Sequence, residues 1–114
     1  MERQLIQMED PIFTPGITKT AKVPVDVDPS GLACEIEVFL GPNASTKSAS
    51  SGRKAFTSTG TQQTINAPVT MPSATGVAYH VYIDLYVLGM YLAGYQGTED
   101  VIIPSGSVGP ITWE

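Results

Sequence analysis

After Lys54 the sequence contains no lysine or arginine. Its six basic residues, Arg3, Lys19, Lys22, Lys47, Arg53 and Lys54, stand against eleven acidic ones among 114 positions, a net charge of -5. Binding to polyanions draws its affinity from clustered Lys and Arg, so no nucleic-acid partner is expected and anionic membrane surfaces are disfavoured. Cysteine and histidine are equally scarce. Cys34 is alone, which rules out a disulfide within the chain, and together with the single His80 it is too little for a zinc centre. No cofactor is expected. No apolar run approaches the roughly 18 residues of a spanning helix, so no membrane insertion is expected either. Met1 to Asp10 lacks an apolar stretch of signal-peptide length. The expectation is therefore a protein that stays in the cell, or one that reaches the cell surface by way of a signal or a larger chain not present in this sequence.

What the sequence does have is alternation. Gly76 to Gly89 brackets a run of β-branched and aromatic residues in which Val77, Tyr79, Val81, Ile83, Leu85 and Val87 share one parity. Side chains alternate across a strand, so this parity predicts one long central strand with its odd face in the core. Ile17 to Asp28 alternates as a half-buried strand, with Pro24 requiring an edge, a bulge or a non-bonding position. Asp28-Pro29-Ser30-Gly31 is a turn signal and predicts a hairpin. It leads into Leu32 to Leu40, where Cys34, Ile36, Val38 and Leu40 face inwards and Glu35 and Glu37 are expected in water. Cys34 reads as a buried small hydrophobe rather than a reactive thiol.

Residues 41 to 61 are rich in Ser, Thr and Gly, which predicts a long, mobile connection with a short edge strand near Lys54 to Thr57. Gln62 to Met71 alternates again, Gly89 to Gly97 suits a hairpin tip with a short return, and Val101-Ile102-Ile103 is the expected last core strand. No segment offers a useful amphipathic helix. The organisation expected is an N-terminal arm or edge segment over residues 1 to 16, a β-sandwich over 17 to 104, and an extended tail over 105 to 114. About seven short strands with turn signals near every ten residues predict an all-β, antiparallel, immunoglobulin-like sandwich.

Four motifs in order, Val25-Asp26-Val27-Asp28-Pro29-Ser30-Gly31, Gly60-Thr61, Met71-Pro72, and Gly76 leading to Tyr79-His80-Val81-Tyr82-Ile83-Asp84, resemble the immunoglobulin-like repeats of bacterial cell-adhesion-related domains over about residues 17 to 103. The resemblance implies a spacer, binding or assembly unit.

Asp26, Asp28 and Ser30, with Glu37 further on, nearly reproduce a calcium-loop spacing. A helix should flank each side of such a loop, and here both flanks alternate as strands, so a hairpin turn is the preferred reading over a partial Ca²⁺ site. His80 and Asp84 share a face of the central strand but lie about 13 Å apart along it, too far for a local acid–base pair. With no nucleophile and base visible together, catalysis is not expected. Tyr82, Tyr86, Tyr91, Tyr95 and Trp113 are the binding candidates, since outward aromatic residues anchor protein partners or stack on sugar rings. Packing by a covering loop or a second subunit is the competing account of the tyrosines. The function expected is a non-catalytic protein-interaction or self-association module, with a carbohydrate-binding module as the alternative.

Overall fold

The computed structural model describes residues 3–8 and 11–113. The described residues are all-β, with eight strands rather than about seven: β1 (Gln4–Ile6), β2 (Thr18–Asp26), β3 (Ala33–Gly41), β4 (Ala49–Thr57), β5 (Gln62–Thr70), β6 (Val77–Val87), β7 (Met90–Gly97) and β8 (Val101–Ile103). The larger sheet has the order β1-β7-β6-β3-β4, with β8 added to the start of β6; the smaller is β2-β5. All pairings between strands are antiparallel except β1 with β7.

The parity of β6 is realised. Tyr79, Val81, Ile83 and Leu85 are buried, together with Cys34, Ile36, Val38 and Leu40 of β3, and they meet Val23, Ala67 and Val69 from the smaller sheet in one cluster. Val101 and Ile103 complete it, so β8 is the last core strand as expected.

Both prolines of the smaller sheet sit where a missing N–H costs nothing. The Met71 amide donates to the Ile17 carbonyl at 2.7 Å, which makes the odd-numbered pairs of this ladder the bonded ones. Pro24, opposite Thr64, and Pro68, opposite Thr20, are both in even pairs. Their nitrogens therefore point to the outer edges of the sheet.

Three expectations are corrected. Asp28-Pro29-Ser30-Gly31 does not close a hairpin, because β2 pairs with β5 and β3 with β4; the turn carries the chain from one sheet to the other. Ser58 is what holds it there. The buried Ser58 hydroxyl donates to the Pro29 carbonyl and accepts from the Leu32 amide, while the Gly31 amide donates to the Ser58 carbonyl at 2.8 Å. The segment 41–61 is not chiefly a loop, since β4 occupies nine of its residues. Its Ser and Gly content instead marks a bulge: Val38 faces both Ser51 and Gly52, and Gly52 takes a φ of +68° that favours glycine. Glu37 is not in water but buried, for reasons that lie with its cations.

Candidate functional site

The outer face of β3-β6-β7, the side away from the core, brings together carboxylates, their cations and aromatic rings. The register sets Phe39 beside Tyr82, Glu37 beside Asp84 and Glu35 beside Tyr86, with Gly94 on the far side of Asp84. Phe39 is fully buried and Tyr82 is 4% exposed, although neither faces the core. Their rings stack with centroids 5.2 Å apart.

Two carboxylates directly opposite one another repel, and each has its own cation. Arg3 Nη1 lies 2.8 Å from Asp84 Oδ1, while its N–H groups are directed at the carbonyls of Tyr95 (3.1 Å) and Ile83 (3.5 Å). The buried Oδ1 accepts no well-aligned hydrogen bond among the described residues. The pairing is thus one of charge rather than of a directed bond. The guanidinium also lies 5.1 Å from the Tyr82 ring centroid and 5.6 Å from that of Phe39. Gly94 makes this possible, because a Cβ there would come within 2.8 Å of Arg3 Nη1.

Glu37 is held by Lys47 Nζ at 2.8 and 2.9 Å and by the Ser50 hydroxyl, which donates at 2.6 Å. The β4 bulge places Ser50 there: the Ser51 hydroxyl accepts from the Val38 amide, and the Gly52 amide donates to Ser50 Oγ. Burial raises the Glu37 carboxyl, but the hydrogen bonds from Lys47 and Ser50 and the charges of Lys47 and Arg53 outweigh it, leaving the pKa below its ordinary value. A general acid needs the opposite displacement, so this carboxylate is suited to hold a charge, not to deliver a proton.

The tyrosines do not form one platform. A bulge between Leu85 and Tyr86 sets Tyr91 opposite Tyr86 but Tyr95 opposite Ile83. Tyr95 therefore packs against the core, while Tyr86 and Tyr91 meet edge to face on the outer side at 6.0 Å. The Arg53 guanidinium lies 3.8 Å from the Tyr86 ring centroid and occupies the face a sugar would use. Tyr91 is 44% exposed, and Trp113, in the tail, is 90% exposed.

His80 meets an acid that sequence reasoning missed. Its Nδ1 lies 2.8 Å from Asp100 Oδ1 in the β7–β8 connection, a contact that depends on β8 folding back onto β6 and has no local signal. Cys34, the sole thiol, sits opposite Val87, whereas His80 sits opposite Gly41, about 24 Å apart along the strand. Asp26, Asp28 and Ser30 lie exposed around the end of β2, and no group of three His, Cys, Asp or Glu side chains gathers to hold a metal among the described residues.

Comparison with known proteins gives no match: no family model, curated protein or solved structure corresponds to the chain.

Proposed function

We propose that this chain is a non-catalytic protein-association module, built as an immunoglobulin-like β-sandwich similar to bacterial cell-adhesion-related repeats. Two sheets, antiparallel but for the β1–β7 pair, close on one apolar core and support the architecture. The observation that carries the function is the β6–β7 turn. Leu88, Met90, Tyr91 and Leu92 are 65, 73, 44 and 57% exposed around Gly89, a contiguous apolar tip rather than scattered single residues. Leu88 holds a φ of 53°, a left-handed conformation that a leucine adopts only at a cost. Asn or Gly would relieve that strain, so an exposed Leu here supports a contact role.

The test is light scattering over a concentration series on the chain and on its Leu88→Asn/Met90→Ser variant. The chain should grow in mass with concentration and the variant should do so less. A strict monomer up to the solubility limit would remove the support. The glycan reading is second: Tyr91 and Trp113 are exposed but lie on separate segments, and a glycan array showing binding lost in Tyr91→Ala would favour it.

A further inference from the structure

We propose that the C-terminal tail of one copy adds as a third strand to the outer edge of β2 in a second copy, over the apolar slot between β2 and the N-terminal residues Ile6 to Met8. This deepens the association reading and rests on it.

The acceptor is an unpaired edge with an apolar floor. Among the described residues β2 pairs with β5 alone, and its even residues Thr18, Thr20, Lys22 and Asp26 aim their backbone groups at the free side. Beneath that side lie two cavities. One of about 260 Å³ is lined by Ile6, Val23, Val25, Ile36 and Tyr95, and one of about 170 Å³ by Met8, Phe13, Ala21 and Val38.

The donor is the tail, in which Val108, Ile111 and Trp113 are 90, 74 and 90% exposed. Ile103 pairs with Val77, so the tail leaves past the start of β6, the same end at which Ile17 and Met71 meet and β2 begins. It therefore runs opposite to β2 and away from it. The longest axis is 73 Å, of which β6 spans about 37 Å and a nine-residue extended tail accounts for about 30 Å more. Reaching its own β2 would require a full reversal and would make the strands parallel. A second copy stacked end to end receives the tail with no reversal and antiparallel, with residues 108–113 covering six of the nine residues of β2.

The prolines select the register. Ile111 and Trp113 share a parity, and turning both towards the slot makes Val108, Pro110 and Thr112 the residues whose backbone faces the even residues of β2, with Val108 and Thr112 exchanging bonds. Setting Pro110 opposite Pro24 confines both missing N–H groups to one pair. Val108 then faces Asp26 and Thr112 faces Lys22, while Ile111 lies opposite Val23 and Trp113 opposite Ala21, whose small side chain leaves room for an indole. Because donor and acceptor are different surfaces, the contact is heterologous and repeats into a ring or an open row.

The test mixes Lys22→Cys and Thr112→Cys chains under mild oxidation. A disulfide-linked dimer of the two should form faster than either variant links to itself, and Val108→Cys in place of Thr112→Cys should not reproduce it. Trp113 is the sole tryptophan, so its emission should shift to the blue as concentration rises, and Trp113→Ala should weaken association roughly tenfold or more. Because Trp113 is exposed in the single chain, that variant folds. Truncation after Ser105 that leaves association intact overturns the tail exchange while sparing the association reading. A full chain that never associates overturns both. A Lys22→Cys/Thr112→Cys chain that links only within itself also overturns the exchange, since it places the tail on its own β2.

Discussion

Strand β6 is buried on both faces by different means. On the odd face Val81, Ile83 and Leu85 meet apolar side chains of β3 and the smaller sheet. On the even face Tyr82 and Asp84 are 4 and 7% exposed, as deeply covered as their neighbours, yet what covers them is cationic: Arg3 over Tyr82 and Asp84, with Lys47 over Phe39 and Glu37 beside them. The first face is held by area removed from water. The second is held by stems of long side chains lying on rings while their charges cancel carboxylates. Equal burial therefore does not mean equal energetics, and the two faces should fail differently.

The largest effect belongs to the apolar face. Ile36 is fully buried, and Ile36→Ala should cost about 3–4 kcal/mol from lost transfer energy and the cavity left behind. Urea melts should show this as a lower midpoint at unchanged slope and little dependence on salt. A cost near that of a surface substitution would mean the two sheets do not pack as described.

Next comes the latch on the other face. Arg3→Ala leaves Asp84 buried without its cation, and a loss of about 2 kcal/mol is expected, below the full cost of breaking a deeply buried pair because water reaches the guanidinium. Arg3→Ala/Asp84→Asn should recover part of it, and the coupling in that cycle measures the pair itself. Additive costs would show that Arg3 acts through the Tyr82 and Phe39 rings and the Ile83 and Tyr95 carbonyls rather than through Asp84.

The contrast also marks what the sequence could show. The apolar face was legible because its signal is local: parity in β6 and β3 identifies Ile36, Val38, Val81 and Ile83 without knowing their neighbours. The charged face was not. Glu37 and Asp84 share the parity of solvent-facing residues, and they are buried only because Arg3 and Lys47 come from other parts of the chain. The bulge at Leu92 that separates Tyr91 from Tyr95 has no composition signal, whereas the Gly52 bulge has one, in Ser and Gly residues that a loop shares. The Asp28 to Gly31 turn was visible, but its partner, Ser58, lies beyond β4, so whether it closed a hairpin or crossed between sheets was decided at long range.

At the β6–β7 tip, where neither kind of cover exists, stability and contact should separate. Leu88→Asn places a residue tolerant of positive φ at the turn and should gain about 0.5–1 kcal/mol, while association weakens. A variant more stable and equally associating would detach the tip from function.

The smallest effect is a pH dependence that only the charged face can supply. Glu37 has a folded pKa below its ordinary value, despite burial, because of Lys47, Ser50 and Arg53. A carboxyl so displaced binds more protons unfolded than folded around that range. Its contribution is complete above the unfolded value of about 4.3 and is lost as pH falls through the lower folded value. Lys47→Met should reduce that acid-side slope. At neutral pH it should cost only about 0.5 kcal/mol, since the Lys47 side chain is 44% exposed and its charge is screened. Ile36→Ala should lower the whole stability curve and leave this slope as it was, so a slope that moved with Ile36 instead of Lys47 would mean the two faces of the sheet are not energetically separate.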